Sequence, residues 1–199
     1  TLFRSVSDGF GDPYLRRCTH SQSLSGRYTT DNWVFTLMSA WQQQTFDREF
    51  PYSVSLAKFN ESWNQNVQEL RAATQGDNTV DMVFGLYRQD TNERLKYGYD
   101  YAGFTIANTR ANTEAETLAA YSDLTWHVTD KFDLGGGLRY SHDKAKTRYT
   151  NAGINTSTFQ PYSFSADGDT RDDQVLGQLS AGYQFTPALR VYTRIAQGY

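Results

Sequence analysis

Three segments of this 199-residue chain are polar yet carry four aromatic residues each, about Thr45–Ser62, Asp90–Glu114 and Lys144–Asp173. Aromatic rings outside an apolar core offer rigid apolar surfaces to a ligand, and neighbouring Arg or Lys side chains can neutralise a ligand's charge. A structural interpretation is equally open, in which tyrosines spaced by two extend a strand and pack on its neighbours. The candidate ligand-binding residues, which we assign to loops, are Tyr97, Tyr99, Tyr101, Phe159, Tyr162 and Phe164.

Ser141, His142 and Asp143 are the residue types of a hydrolytic triad, but they are consecutive in the chain. Successive residues of a strand point to opposite faces, so these three side chains cannot converge on one substrate. His20, His127 and His142 lack the spacing of metal ligands. The sequence therefore predicts a protein that is not an enzyme and binds no metal ion through its own side chains.

Charge and hydropathy limit the class of protein. The 19 Lys and Arg residues stand against 22 Asp and Glu, a net charge of −3, whereas a nucleic-acid-binding protein usually has a strongly basic face. We therefore expect no nucleic-acid partner. No apolar run approaches the roughly 20 residues that a membrane helix needs. A β-barrel membrane protein remains possible, because its strands alternate and keep the mean hydropathy low.

Cys18 is the single cysteine, so no disulfide can close within this chain. One interpretation is a free thiol in a loop. The other is that its partner lies in a part of the protein outside this chain.

Short polar clusters interrupt the chain at intervals of about 45–60 residues, a candidate repeat period. Their residue types favour tight turns, because they supply positive φ, preset φ or local side-chain hydrogen bonds. About ten residues of alternating pattern flank each cluster, which predicts hairpins with short turns at one end and long loops at the other. The four clusters are Thr29–Asn32, Gln75–Asn78, Thr129–Lys131 and Thr186–Ala188.

The alternation predicts eight strands with one apolar and one polar face. Along the segment from Phe132 to Tyr140, Phe132, Leu134, Leu138 and Tyr140 share one face, whereas Asp133 and Arg139 lie on the other. The eight predicted strands lie near residues 21–28, 33–43, 63–73, 80–87, 117–127, 132–140, 174–185 and 189–196.

Three features favour a transmembrane barrel over a soluble sheet. Strands of about ten residues match a tilted membrane crossing and exceed the five or six usual in soluble proteins. Charged residues on the polar face suit a water-filled lumen, and large aromatic residues near both strand ends suit two interfacial girdles. The predicted girdle residues are Trp33, Trp126 and Phe132 beside the short turns, and Trp41, Tyr140 and Tyr199 at the far end.

Several strings of the sequence resemble the barrel of a TonB-dependent outer-membrane siderophore receptor. PYLRRCTHSQSLSGRYTTDNWVF at Pro13–Phe35 and SAWQQQ at Ser39–Gln44 carry a narrower resemblance, to one siderophore receptor of that family. The strings that carry the family resemblance are VQELRAAT at Val67–Thr74, DMVFGLYRQ at Asp81–Gln89, AETLAAYSDLTWHVTDKFDLGGGLRYSHDK at Ala115–Lys144, DDQVLGQLSAGYQFT at Asp172–Thr186 and RVYTRIAQGY at Arg190–Tyr199.

The resemblance implies an all-β fold in which residues 1–199 are an antiparallel segment of about eight strands from a barrel of about 22 strands. A plug domain and the remaining strands would lie outside the chain, which would be truncated at Tyr199, and Cys18 would pair with an upstream cysteine. The implied function is uptake of a ferric siderophore across the outer membrane of a Gram-negative bacterium. The implied partners are the siderophore, the TonB energy-transducing complex and outer-membrane lipid. No cofactor is expected, because the iron enters only as a siderophore chelate.

Two other classes of protein stay open from the pattern of residues alone. One is a small closed outer-membrane barrel with a structural or adhesive role, because eight strands can close on themselves. The other is a soluble β-sandwich that binds a partner, because alternation describes any half-buried strand. The identity of the siderophore is not encoded in the strand pattern.

Overall fold

The chain folds into a meander of antiparallel strands, in which each strand pairs with its neighbours in sequence. The computed structural model describes residues 3–4, 13–52 and 55–198. The eight predicted strands are all present, and a two-residue strand precedes them. In chain order the strands are β1 (Phe3–Arg4), β2 (Tyr14–Thr29), β3 (Trp33–Tyr52), β4 (Ser55–Thr74), β5 (Val80–Tyr101), β6 (Phe104–Thr129), β7 (Phe132–Ile154), β8 (Pro161–Thr186) and β9 (Leu189–Ala196).

Four short turns join the strands at one end of the sheet, as the polar clusters predict. They comprise residues 30–32, 75–79, 130–131 and 187–188. Gly76 in the second turn has a φ of 94°, a conformation that a residue with a Cβ rarely adopts. The sequence pattern was therefore sufficient to locate this end of every hairpin.

Within the described residues, the three segments assigned to loops are instead continuations of the strands, apart from the connections of residues 102–103 and 155–160, so the prediction of long loops is wrong. β3 to β8 are 20 to 26 residues long, about twice the predicted length. β5 and β6 are joined by only Ala102 and Gly103, whose φ values of 50° and 84° fit the tight turn that hairpins favour. These segments are polar on at least one face throughout. The apolar alternation that marks a strand in the sequence is therefore lost there, although the backbone pairing between strands continues.

The register between strands places the apolar residues in continuous rows, which confirms the predicted faces. Leu37 lies opposite Leu70, and Leu70 lies opposite Leu86. The same row continues through Ala120 to Tyr140. We call this side of the sheet the apolar face and the other side the polar face. The large side chains of the apolar face are not covered by any other part of the described chain. Leu179, for example, is 70% exposed.

The apolar face changes character at a defined position along each strand. On β7 the large apolar side chains run from Phe132 to Tyr140, and the next residue on this face is His142. The Tyr140 hydroxyl donates a hydrogen bond of 2.6 Å to Asp173, and His142 Nδ1 lies 2.7 Å from the same carboxylate. These two hydrogen bonds hold the pKa of Asp173 below its usual value. Beyond this boundary the face carries the cations Lys144, Lys146 and Arg148.

Glycine residues on the polar face make room for larger side chains of adjacent strands. The ring of Tyr121 lies over Gly85, where a Cβ would overlap it. Gly137 likewise leaves space for Asp123, which accepts a hydrogen bond from Gln178. The polar face is thus covered by interlocking polar groups, although many of its positions lack a side chain of their own.

A line of charged groups crosses the polar face beside the short turns. His127 Nε2 lies 2.9 Å from Asp81, and His127 Nδ1 lies 2.6 Å from Asp133. Arg190 reaches Asp133 across Gly182, where an added Cβ would lie 3.3 Å from the guanidinium. These contacts tie strands β5, β6, β7 and β9 together at one height.

The girdle residues predicted beside the short turns lie there, whereas Trp41 and Tyr140, predicted at the far end, lie near the middle of their strands, because the strands are about twice the predicted length. Tyr199 lies outside the described residues. Trp33, Trp126 and Phe132 lie beside the short turns, and Tyr140 and Trp41 lie further along their strands.

Both edges of the sheet are open within the described residues. β1 pairs only with β2, and β9 pairs only with β8. Cys18 lies in β2 opposite Thr45 rather than in a loop, and its thiol is unbonded among the described residues. The described ranges contain no helix that is long and apolar enough to cross a membrane.

Because a bilayer leaves unpaired strand edges unsatisfied at several kcal/mol for each group, we expect the isolated chain not to form a closed monodisperse barrel. Refolding of residues 1–199 in detergent should give a heterogeneous product without a heat-modifiable band on electrophoresis. A single heat-modifiable species would contradict the open sheet.

The register predicts that arginine lowers the stability strongly at one position of β8 and only slightly at the adjacent position. Leu179→Arg on the apolar face should lower the stability of the complete protein in lipid vesicles by about 2–4 kcal/mol, because the bilayer midplane excludes the guanidinium. Ser180→Arg on the polar face is the matched control and should change stability by less than about 1 kcal/mol. Urea unfolding measures both. Equal losses would mean that the register is shifted by one residue.

Candidate functional site

The six candidate ligand-binding residues lie at the end of the sheet opposite the short turns, but not in long loops. Tyr97, Tyr99 and Tyr101 belong to the last five residues of β5. Tyr162 and Phe164 belong to the first four residues of β8. Only Phe159 lies outside a strand, in the connection of residues 155–160. The tyrosines spaced by two therefore extend a strand, which confirms the structural interpretation and leaves the ligand-binding one untested.

Strand alternation carries four of these residues onto the polar face. Tyr97 and Tyr99 are ten and twelve residues from Tyr87, which contacts Arg139 on that face. Tyr162 and Phe164 share the face of Gln178 by the same alternation. The candidate site is consequently a surface on the polar face of the sheet, beyond the height at which the apolar face becomes charged.

Phe59 on β4 is the centre of the largest aromatic cluster on this surface. It lies opposite Tyr97 with ring centroids 4.7 Å apart, and Phe50 meets it edge-on at 6.0 Å. The guanidinium of Arg48 lies over the Phe59 ring, 5.0 Å from its centroid, and forms an ion pair with Glu61. Aromatic and cation–π contacts of these kinds fix the rings in place.

A second guanidinium lies beside this cluster. Arg17 on β2 is opposite Phe46 on β3 and lies 5.1 Å from the ring centroid. Within the described ranges Arg17 forms no ion pair, whereas Arg48 is paired with Glu61. Together these groups form what we call the aromatic platform, which consists of Phe46, Phe50, Phe59 and Tyr97 with Arg17 and Arg48.

Phe164 on β8 belongs to a separate cluster, four strands away from Phe59 on β4. Its ring centroid lies 5.6 Å from that of Tyr149 on β7. The hydroxyl of Tyr162 donates a hydrogen bond of 3.4 Å to the carbonyl of Ile106. Two of the six candidates, Tyr97 and Phe164, thus pack against other rings, but not against each other.

The remaining candidates are not brought into an aromatic cluster within the described residues. Tyr99 and Tyr101 continue β5 beyond the platform. Phe159 is 80% exposed and has a φ of 55°. Its backbone N–H donates a hydrogen bond of 2.8 Å to the carbonyl of Asn155. The geometry therefore does not bring the six residues together into one rigid binding site.

Sequence inspection singled out too few of the platform residues. Phe46, Phe50 and Phe59 were recognised as aromatic residues of polar segments but were not among the six candidates. Arg17 and Arg48 were missed, because a long-range pairing decides which ring each guanidinium covers. The available signal was the spacing by two of Phe46, Arg48 and Phe50, which places them on one face of a strand.

Chemically, the platform can hold an aromatic molecule that carries negative charge. Flat rings offer apolar contact area, and guanidinium groups offer donors and positive charge. The Nε atom of Arg48 is buried and has no hydrogen-bond partner within the part of the chain that the structure describes.

Ser141, His142 and Asp143 point alternately to the two faces, as their adjacency predicts. Ser141 is fully buried and accepts a hydrogen bond of 3.1 Å from Arg139 on the polar face. His142 contacts Asp173 on the apolar side, and Asp143 accepts a hydrogen bond of 2.5 Å from Thr117. The three side chains have different partners and do not form a triad.

Comparison with known sequences identifies relatives of this chain. The family profile described as TonB dependent receptor-like, beta-barrel, matches residues 1–199. The pesticin receptor of Yersinia pestis is 58% identical over 196 residues, which is 98% of this chain and 28% of that protein. The chain therefore spans less than a third of the length of this curated relative.

Solved structures agree with the sequence comparison. The crystal structure of the ferric yersiniabactin uptake receptor FyuA from Yersinia pestis matches 98% of this chain and 30% of its own, with 58% identity and a TM-score of 0.87. The ferric-catecholate import receptor Fiu from E. coli K12, at 15% identity, has a TM-score of 0.63 over 93% of this chain and 36% of its own, which shows the fold alone. The narrower resemblance found in the sequence is to the yersiniabactin/pesticin receptor, and the two Yersinia matches confirm it.

The geometry predicts that Phe59 stabilises this end of the sheet more than an isolated ring does. Phe59→Ala should lower the free energy of unfolding in lipid vesicles by about 1–3 kcal/mol, because it removes two ring contacts and one cation–π contact. Phe159→Ala removes an exposed ring without an aromatic partner and serves as the control. Equal losses in urea titrations would show that the cluster contributes nothing.

Proposed function

Because the chain belongs to the TonB-dependent receptor β-barrel family, we propose that it forms part of the wall of an outer-membrane receptor that takes up a ferric siderophore. The observation that carries this proposal is the aromatic platform, which lies on the polar face beyond the apolar band of a sheet similar to FyuA. Residues 1–199 would be a partial barrel domain. The plug domain and the remaining strands would lie in other parts of the receptor.

Dimensions support the location in a membrane. The large apolar side chains of β7 run from Phe132 to Tyr140, nine residues. At about 3.3 Å for each residue and a tilt of about 40°, this band is roughly 23 Å tall, close to the 25 Å typical of outer-membrane barrels. The apolar face would then meet lipid, and the polar face would line the lumen. The organism would be a Gram-negative bacterium.

The short turns would face the periplasm, and the long strand ends would stand above the outer surface. This orientation places the aromatic platform at the external mouth of the lumen, where a ligand arriving from outside meets it first. The charged line of Asp81, His127, Asp133 and Arg190 would lie at the periplasmic mouth. Platform and charged line are then at opposite ends of one passage.

At the platform, the rings of Phe59 and Tyr97 would pack against an aromatic part of the chelate. Arg17, which forms no ion pair within the described ranges, would neutralise its negative charge, whereas Arg48 is already paired with Glu61 and would hold the Phe59 ring in place. The siderophore already coordinates the iron, so the receptor needs no protein ligand to the metal and no cofactor. Transport would depend on the TonB energy-transducing complex, which would engage the receptor through its N-terminal part. The matches that name ferric yersiniabactin and pesticin make a yersiniabactin-like chelate our first candidate ligand.

A small closed barrel accounts less well for the same sheet. Its edge strands would have to pair with each other, whereas β1 and β9 are both edges among the described residues. A closed eight-stranded barrel also fills its interior with side chains, whereas glycines occupy polar-face positions such as Gly85, Gly135 and Gly137. A segment of a wider barrel accommodates both features.

Ring contact with the chelate predicts a specific loss of affinity. In the complete receptor, Tyr97→Ala should weaken equilibrium binding of the iron-loaded siderophore by about 1–3 kcal/mol, because a rigid aromatic anchor is lost. Tyr14→Ala is the matched control, because Tyr14 also lies at the far end of its strand but on the apolar face. Ferric yersiniabactin and ferric citrate serve as the two probes.

The siderophore affinities of the two variants are compared only if their surface expression and heat-modifiability equal those of the wild type. Unchanged affinity in the Tyr97 variant would count against the platform as the binding surface. Equal weakening in the Tyr14 variant would point to a general effect of truncating tyrosines at this end of the barrel.

A further inference from the structure

The polar face carries a second combination of aromatic rings and guanidinium groups, closer to the short turns than the aromatic platform is. A cavity of about 420 Å³ lies on this face between strands β4 and β9. We call the charged and aromatic side chains that line it the inner site. They are Glu69 on β4, Tyr87 on β5, Tyr121 and Asp123 on β6, Arg139 on β7 and Arg194 on β9.

Arg139 makes the same kind of contact in the inner site as Arg48 makes in the platform. Its guanidinium lies over the ring of Tyr87, 5.5 Å from the centroid. Among the described residues, the Arg139 side chain forms one hydrogen bond, of 3.1 Å from Nε to the Ser141 hydroxyl, and no ion pair. Arg48 differs in this respect, because it is paired with Glu61. The positive charge of Arg139 is therefore not neutralised by the described part of the sheet.

The two carboxylates of the inner site are held by neutral groups. Glu69 accepts a hydrogen bond from the hydroxyl of Tyr121, and Asp123 accepts one from the amide of Gln178. The carbonyl of the same Gln178 amide accepts a hydrogen bond from Arg194. Within the described ranges, Arg194 and both carboxylates form no ion pair. The inner site thus has a second guanidinium whose charge has no carboxylate partner in that part of the sheet.

The inner site lies well below the platform on the same side of the sheet. Tyr87 and Tyr97 are ten residues apart on β5, so they share one face. Ten residues correspond to about 33 Å along a strand and about 25 Å in depth at a tilt of about 40°. Tyr87 follows Leu86, the last large apolar residue on the apolar face of β5, so the inner site is level with the outer end of the apolar band. A molecule that moves along the lumen would meet the two sites in turn.

The chemistry of the inner site selects a particular class of ligand. An aromatic ring offers apolar contact area, and a guanidinium beside it offers positive charge and hydrogen-bond donors. The ligand that uses both is an aromatic molecule with a negative charge. The platform can hold a molecule of the same class, so the two sites would suit one cargo.

The plug domain of the proposed function decides when a ligand can reach the inner site. A plug would fill the lumen of the resting receptor and would cover a surface at this depth. The platform, in contrast, lies at the external mouth and would be open to a ligand at rest. A chelate would therefore reach the inner site only during energised uptake, after it has left the platform.

We propose that the inner site transiently binds an aromatic, anionic ferric chelate as the chelate passes through the lumen. Arg139 and Arg194 attract its anionic groups, and Tyr87 contacts its aromatic part. The chelate then exchanges one surface of rings and guanidinium groups for another, which lowers the barrier to its passage. The inference rests on the proposed function, because it needs a chelate that crosses this lumen, but it does not depend on which siderophore is carried.

The test uses two pairs of variants of the complete receptor. R139Q removes the guanidinium that lies over Tyr87. R27Q is its control, because Arg27 lies in the same cross-strand row, on β2 and outside the cavity. Y87A removes the ring, whereas its control Y87F loses only the hydroxyl, which donates a hydrogen bond of 2.5 Å to Gln89. The probe is ferric yersiniabactin loaded with radioactive iron.

Two quantities are measured in whole cells, the equilibrium affinity without TonB activity and the rate of energised uptake at saturating chelate. We expect uptake by R139Q and Y87A to be about tenfold slower than by R27Q and Y87F, because each loses one desolvated contact of a cation or a ring with the chelate. The equilibrium affinities should equal that of the wild type, because the platform is unchanged.

Equal uptake rates within each pair overturn the proposal. A weaker equilibrium affinity in R139Q than in R27Q also overturns it, because Arg139 would then bind the chelate in the resting receptor. Docking of the plug on Arg139 is a further outcome, which urea unfolding of the plug in detergent-solubilised receptor detects. Equal midpoints of R139Q and R27Q are expected, and a lower midpoint in R139Q overturns the proposal in favour of plug docking.

Heat-modifiability checks the assembly of every variant. If R139Q does not assemble, Y87A against Y87F gives the same comparison with the same expected difference, and equal uptake by that pair overturns the proposal. Normal uptake by the wild type with equal rates within the pairs overturns the inner site alone. A wild type that neither binds nor takes up the chelate overturns the proposed function, and the inner site with it.

Discussion

The rest of this structure depends on one nearly unbroken antiparallel ladder, whose register decides which residue faces which side. Because side chains alternate, a slip of one residue would move every leucine of the row from Leu37 to Leu86 to the opposite face. The few register shifts lie close to the ends of the strands, such as the one between Tyr99 and Asp100. The ladder therefore keeps each side chain on its own side of the sheet over more than twenty residues, although one side is apolar only over the band that runs from Phe132 to Tyr140 on β7.

The same ladder continues far beyond the apolar band, and this continuation holds polar, charged and aromatic side chains in fixed positions on both faces of the sheet. On the polar face it brings Arg48 over Phe59 and sets Tyr97 beside it. On the opposite face it sets Lys96 against Arg110. A flexible loop would lose conformational entropy on binding, whereas residues on paired strands are already ordered. The two faces are opposite sides of one continuous sheet.

Glycines have a different role on each part of the wall. On the polar face, Gly85 and Gly137 leave space that Tyr121 and Asp123 occupy, so polar side chains interlock over several strands. At the hairpin tip, Gly103 with the preceding residue permits a two-residue connection. Glycine thus allows close packing of neighbouring side chains on the polar face and a tight turn between β5 and β6.

The sequence by itself determined the strand count, the four short turns, the inside–outside alternation and the family, because each of these is written in local spacing or in continuous strings. It did not reveal the length of the strands, because outside the apolar band the solvent no longer selects leucine or valine on one face, although backbone pairing goes on. The sequence also could not identify the residues of the aromatic platform. Arg48 meets Phe59 only because β3 and β4 pair in one particular register. Partners across strands are set by tertiary pairing, which brings together residues that are distant in the chain.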